Sequence, residues 1–456
     1  MNPYYNPLFL IRLLHSYLTD ITRIWDISPE KLKKFQNKMF VKTVKHAYTV
    51  PLYHDKYQDA GVKASDIKNL EDIKKLPIIT KDDLRNYYPD GLVSKDFDKD
   101  NAFLLSTSGS SGKPVFIYYD YLSSIKFSEG YIRSLKILGG DWKHSKICII
   151  VDMKPGSVER ASYQDSALPF VKKFIKLDNI KYIHVGRKIE KIIKEVNEFK
   201  PEFLGSDPNM LRELAYKKQT GELKVQPKFL FSGGAMLDDY RRQFIEKNLN
   251  AKILDNYGTT EGGPIGFQCM KGNGYHIHSD FAYLEFLDEN GKDVKYNNPG
   301  RLIVTRLYGR GTPIIRYDGL DDIVTPIKPV SCCNITTNQM IKKISGRSME
   351  FIKLPSGKLI APFKLTTIPA SVMDDFKTYK IKQFQIIQTK INEIIIKIVI
   401  DEKLRTIGPS VEKIIKELIK RFREITLDEV KIKVQEVKEI HKDTRSDHVK
   451  LVLSNL

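Results

Sequence analysis

Between residues 100 and 260, short apolar runs alternate with longer stretches in which apolar residues return every three or four positions. The short runs include Phe116-Ile-Tyr-Tyr, Lys146-Ile-Cys-Ile-Ile-Val, Tyr182-Ile-His-Val, Phe229-Leu-Phe and Ile253-Leu-Asp-Asn-Tyr. The longer patterns fall at 186–200, 208–219 and 237–249. Strand-length runs interleaved with helical periods predict a layered α/β core. From 275 to 325 the pattern turns strand-rich, with Tyr283-Leu-Glu-Phe-Leu, Arg301-Leu-Ile-Val-Thr and Pro313-Ile-Ile-Arg-Tyr. That predicts a β-rich subdomain over about 270–345. Residues 1–95 read as a helical region, with a helical pattern over 29–60 and Thr80 placed as an N-cap. Leu8 to Trp25 is amphipathic through Leu10, Leu13, Leu14, Tyr17 and Ile21. Packing on the main domain is the expected use of that face, and peripheral contact with a membrane is the other reading.

A boundary falls near Ser345-Gly-Arg. Beyond it, Phe384-Gln-Ile-Ile-Gln and Glu393-Ile-Ile-Ile-Lys-Ile-Val-Ile read as paired strands, and Val430-Lys-Ile-Lys-Val alternates again. Val411, Ile414, Ile415, Leu418, Ile419 and Phe422 mark one face of a helix. The predicted architecture is therefore α/β: a large multi-layer domain over 1–345 and a small α+β domain over 346–456.

Composition narrows the class. With 456 residues, 41% hydrophobic and 10% aromatic, the chain can bury more than one core. Seventy-five Lys and Arg against 56 Asp and Glu leave a formal charge of +19, which favours anionic partners. The lysines are scattered and no nucleic-acid motif accompanies them, so nucleic-acid binding is not expected. Four cysteines argue against a disulfide scaffold. No export signal or bilayer-spanning run is apparent, and the expected compartment is the cytoplasm, as monomer or homodimer.

The chemistry concentrates at Leu105-Ser-Thr-Ser-Gly-Ser-Ser-Gly-Lys-Pro-Val. Glycines and hydroxyls around Lys113 make a loop whose N–H groups can surround a polyphosphate. It is not a Walker loop: only two residues separate Gly109 from Gly112, and Pro114 follows the lysine. A second motif, Asn256-Tyr-Gly-Thr-Thr-Glu-Gly-Gly, follows a strand, where a ligand loop belongs. Tyr257 can stack on a base, Thr260 can bond a phosphate and Glu261 can ligate Mg²⁺. Pro313-Ile-Ile-Arg-Tyr-Asp-Gly-Leu-Asp-Asp and Ser345-Gly-Arg347 complete the set.

In this order the motifs resemble the adenylate-forming superfamily of acyl-CoA synthetases, and more narrowly the phenylacetate–CoA ligase branch with its capsule-biosynthesis relatives. Val50-Pro-Leu-Tyr and Leu76-Pro-Ile-Ile-Thr-Lys extend the likeness over nearly the whole chain. The resemblance implies a ligase in which a carboxylate attacks the α-phosphate of ATP, giving acyl-AMP and pyrophosphate, before CoA or an amine displaces AMP. It implies a C-terminal domain that swings about a hinge near Arg347. It implies that Ser108, Gly109, Ser110, Ser111, Gly112 and Lys113 hold the β,γ-phosphates. Gly234 and Ala235 then wall the adenine, and Tyr257, with Gly258 and Thr259 beside it, stacks on it. Thr260 touches the α-phosphate, Glu261 holds Mg²⁺, and Asp321 and Arg347 contact the ribose.

Three departures from the family pattern stand out. Gly319-Leu320-Asp321 replaces the usual Thr-Gly-Asp, and Met349-Glu350 replaces the hinge aspartate. The C-terminal Gly-Lys, whose lysine assists adenylation in the family, aligns with Asp447-His448, with Lys450 nearby. An acyl-protein synthetase, another adenylate-former with a non-CoA acceptor, and a degenerate nucleotide-binding scaffold are therefore the alternative functions.

Some relatives carry a Cys…His pair and a Cys-x-Cys where this chain has Cys269, His276 and Cys332-Cys333. That resembles a structural zinc site of three thiolates and an imidazole. Adjacent cysteines are an awkward pair of ligands because their side chains diverge, and burial as small apolar residues is the competing reading. Tyr163, Phe170 and Phe231 are candidates for an acid pocket or for ordinary core.

Overall fold

In the computed structural model, residues 3, 6–107, 114–166, 168–173, 176–330, 332–347, 351–378, 380–440 and 451–456 are described. The chain divides into two compact units. The larger comprises 1–235, 248–320 and 324–343, and the smaller 236–247, 321–323 and 344–456. No described helix is long and apolar enough to cross a membrane.

The larger unit is organised by an 11-stranded mixed sheet. In spatial order its strands are Ala282–Leu287, Gly300–Arg306, Asp322–Ile327, Met340–Arg347, Tyr275–Ile277, Gly263–Gln268, Lys252–Thr259, Phe229–Ser232, Phe203–Ser206, Ile147–Val151 and Ile180–His184. The last five run parallel to one another, and the inner three, Phe229–Ser232, Phe203–Ser206 and Ile147–Val151, are almost wholly buried and largely apolar. Helices Ile189–Phe199 and Pro208–Gln219 supply crossovers, and Asp207 caps the second by accepting from Asn209 N and Met210 N. Antiparallel pairing begins at Lys252–Thr259, which turns directly into Gly263–Gln268. The strand-rich stretch after residue 270 thus continues the same sheet.

One predicted strand is absent. Pro313–Tyr317 forms only isolated bridges, Tyr317 to Ile79 and to Val304. Pro313 lacks a ladder N–H, and Arg316 takes φ 48°, which breaks the pleat. Thr80 caps its helix as the sequence predicts, accepting from Asp83 N at 3.2 Å.

The smaller unit has its own sheet, in the order Lys431–Glu436, Glu393–Ile400, Ile381–Lys390, Val452–Ser454. Helix Val411–Ile425 lays Val411, Ile414, Leu418 and Phe422 into a core with Ile386, Ile394, Ile396 and Ile398. Ile415 and Ile419 pack at its margin. Each fully buried side chain of this kind contributes roughly 1.5–3 kcal/mol.

Candidate active site

Residues 108–113, Lys113 among them, lie outside the described residues, and a strand stands on each side of them. Strands Phe103–Ser106 and Phe116–Tyr119 pair as an antiparallel hairpin, and Thr107 N donates to Val115 O at 3.0 Å to close the neck. Val115 N in turn donates to Thr107 Oγ1 at 3.2 Å. Four residues past Val115, the outgoing stem reaches the second motif. Tyr119 Oη donates to the carbonyl of Thr260 at 2.6 Å. Burial raises the Tyr119 pKa, so the phenol keeps its proton and acts as a donor.

Thr259–Glu261 form the tight turn between two antiparallel strands. Thr259 Oγ1 accepts from Gly262 N at 2.8 Å, which fixes the turn from inside. Gly263 is obligatory here, because φ is +74° and a Cβ would lie 2.0 Å from Tyr308 Oη. The turn rests on a buried cation. Arg306 donates to Glu261 O at 3.2 Å and Thr312 O at 2.6 Å, and its guanidinium lies 4.7 Å from the Tyr119 ring and 5.4 Å from Tyr308. The Glu261 side chain is buried, and Tyr317 Oη donates to its Oε1 at 3.1 Å. A carboxylate with one oxygen fixed by a phenol is a hard oxygen donor suited to Mg²⁺.

Tyr257 and Gly258 are partly exposed on the preceding strand. Gly233, beside Gly234, comes close enough that a Cβ would meet Asn256 O at 3.4 Å, while Gly234 adopts φ 78° with open space where a Cβ would sit. Gly233 therefore lies against Asn256, with Gly234 and Ala235 next along the chain. Tyr131 packs on Phe231 at 4.9 Å and on Tyr163 at 5.9 Å, and Tyr163 stacks on Tyr182 at 5.4 Å and 8°. Asp321 and Arg347 belong to the smaller unit, Asp321 at φ 58° and Arg347 at a strand end. His448 and Lys450 lie outside the described residues.

A second cluster forms where Gly263–Gln268 turns into Tyr275–Ile277. Cys269 Sγ lies 3.5 Å from Cys332 Sγ and 3.7 Å from Cys333 Sγ, and Cys332 Sγ is 3.4 Å from His276 Nε2. All four ligand atoms fall within 4.8 Å of one another. Cys333 and Asn334 take φ 60° and 52°, and this left-handed turn brings both adjacent thiols to Cys269, contrary to the divergence expected of neighbours. Burial opposes ionisation of Cys269, yet the N–H groups of Asn273 and Lys271 and the neighbouring thiols bring its pKa below the ordinary thiol value. Burial holds the His276 pKa at about 4, so its imidazole is neutral near pH 7. Three thiols and a neutral imidazole at this spacing match a tetrahedral zinc set. Cys148 is buried in strand Ile147–Val151 and stands apart.

Comparison with known proteins fits this geometry. Phenylacetate-coenzyme A ligase of Escherichia coli (strain K12) is 26% identical over 343 residues, 73% of this chain and 75% of that protein. Protein CapK of Staphylococcus aureus is 26% identical over 335 residues, 72% and 69% of the two chains. A family profile, the CapK C-terminal domain, matches residues 355–455. Over about three quarters of its length the chain is thus similar to phenylacetate–CoA ligases and to CapK. Among solved structures, 2-hydroxyisobutyryl-CoA ligase in the postadenylation state shares the fold, with TM-score 0.75 at 20% identity over 95% of this chain and 91% of that one. An anthranilate CoA ligase bound to anthranoyl-AMP gives TM-score 0.53 at 13% identity, over 84% of this chain and 75% of that one. Tyr119, Arg306, Tyr308 and Tyr317, which surround the Glu261 turn, carry no signal of this in the sequence. Their role exists only through contacts 45 to 141 positions apart, and no local spacing announces it.

Proposed function

We propose that this chain is an ATP-dependent ligase that activates a carboxylic acid as acyl-AMP and passes the acyl group to CoA. The observation that carries the reading is the Tyr119–Thr260 bond, which joins the stem of the serine-rich turn to the turn bearing Glu261. In this reading Ser108, Gly109, Ser110, Ser111, Gly112 and Lys113 cradle the β,γ-phosphates. Tyr257 stacks on adenine against Gly234 and Ala235, and Thr260 donates to the α-phosphate. Asp321 and Arg347 take the ribose. Glu261 holds Mg²⁺, which neutralises phosphate charge when bound. A carboxylate oxygen bonds to the α-phosphorus as the bond to the β-phosphate oxygen breaks and pyrophosphate leaves. A thiolate, its proton lost to solvent, then attacks the acyl carbon and AMP departs. Donors aimed at the phosphorus centre stabilise the charge that builds there. His448 or Lys450 supplies the cation that a lysine provides in the adenylate-forming enzymes this chain resembles. Cys269, His276, Cys332 and Cys333 hold a structural Zn²⁺.

An ATP–pyrophosphate exchange screen across aromatic, aliphatic, amino and sugar acids tests the first half-reaction. Exchange with one acid class, lost in Lys113→Ala, supports it. Tight nucleotide binding with no exchange for any acid would make the chain a scaffold. AMP release dependent on an amine but not on CoA would move the acceptor assignment. Elemental analysis of chelator-washed protein checks the zinc.

A further inference from the structure

Helix Pro7–Thr19 has one face anchored and one face bare. Asn6 caps it, accepting from Leu8 N at 3.0 Å. Ser16 is buried with its hydroxyl within hydrogen-bond distance of Glu129 at 2.7 Å and Asp20 at 2.8 Å, Phe9 meets Tyr121 edge-on, and Tyr17 meets Trp142 edge-on. On the other side Leu8, Ile11, Leu14 and Leu18 are 68%, 63%, 58% and 62% exposed. At about 100° per residue these four fall within an arc of roughly 120°. Four exposed aliphatic side chains on one helix face, sharing their arc with the exposed His15, are more than scattered surface leucines.

We propose that this face seats the protein on an anionic phospholipid surface. Helix Pro7–Thr19 contains no carboxylate, and Arg12 is exposed at the edge of the stripe. At its far end the Lys143 ammonium lies 5.5 Å from the Tyr17 ring and 5.6 Å from the Trp142 ring, an aromatic and cationic border of the kind that sits among headgroups. The chain as a whole carries +19, so the long-range field draws the same surface closer. A second copy of the chain is the weaker occupant. Four aliphatic side chains fall well short of the roughly 800 Å² per partner that a standard dimer buries.

The test is flotation of the full chain with vesicles of phosphatidylcholine alone and of phosphatidylcholine with phosphatidylglycerol in equal parts. The expected result is flotation with the anionic vesicles only, reduced severalfold at about 0.5 M salt. A quadruple variant, Leu8→Ser, Ile11→Ser, Leu14→Ser and Leu18→Ser, should lose at least about tenfold in partitioning while keeping its melting temperature. Arg12→Glu, which touches no packing, should weaken anionic-vesicle binding alone. Protein that stays out of both vesicle types, or partitions equally into both, overturns the assignment. So does a wild-type dimer by light scattering that the quadruple variant converts to monomer.

Discussion

Glu261 is held from two directions, its carbonyl by Arg306 and its carboxylate by Tyr317, so its orientation is set by residues remote in sequence. Glu261→Gln should abolish pyrophosphate exchange, because an amide cannot replace a charged oxygen ligand. Tyr317→Phe removes one hydrogen bond to a charged group, and a loss of about tenfold is expected, with the Mg²⁺ requirement shifted to higher concentration. Unchanged Mg²⁺ dependence in that variant would remove Tyr317 from the orientation of Glu261. His448→Lys should speed exchange several-fold at pH 8, where an imidazole is largely neutral, and by less near pH 6. At this scale the sequence singled out Thr260 and Glu261, whose neighbours form a recognisable string. It was silent on Tyr119 and Arg306, which are unremarkable until folding sets one against the other.

At the scale of elements, the segment around residues 16–23 is locked to helix Tyr121–Ile137 by buried charge. Lys126 pairs with Asp20 and, at 2.8 Å, with Glu129, and Arg23 also pairs with Asp20. Burial raises the Asp20 pKa, but Lys126 and Arg23 outweigh it and hold the carboxyl at about 2. The carboxylate's contribution, roughly 2 kcal/mol, is therefore full above the unfolded value near 4 and disappears as pH falls to about 2. Lys126→Met leaves the buried Glu129 without its cation and Asp20 with Arg23 alone, and should cost about 3 kcal/mol, with the acid limb of the urea-midpoint profile flattened. A profile as steep as wild type below pH 4 would mean that Asp20 is not the titrating group. Periodicity was enough to read helices Pro208–Gln219 and Val411–Ile425, because each buries one stripe against a sheet. It failed at Pro313–Tyr317, where apolar spacing suits a strand but Pro313 and the left-handed Arg316 prevent a ladder. The cysteine cluster sits between these cases. Its ligand types were visible, whereas the turn that lets Cys332 and Cys333 face one way was not. Removing zinc should lower the melting temperature by several degrees, and Cys269→Ser should make the protein indifferent to chelator.

For the whole molecule, the smaller unit carries a self-contained core, from Ile352 to Val452, and the larger unit is built on its own sheet. Calorimetry should therefore resolve two transitions, and a non-hydrolysable acyl-AMP analogue should raise at least the one belonging to the unit that holds Glu261. A single transition with calorimetric and van't Hoff enthalpies equal would show that the units unfold as one. By itself the sequence determined the layered α/β class, the change to a strand-rich pattern after residue 270, and the string of polar motifs. These are local or periodic properties, written wherever one face of an element must meet a core. Only the tertiary structure decided that the strand-rich part continues the central sheet, and that Tyr119, Arg306 and Tyr317 brace the Glu261 turn. It likewise decided that Leu14 turns outward although its helix packs inward. Those outcomes depend on which distant surfaces meet, and a one-dimensional pattern does not encode that pairing in any residue taken alone.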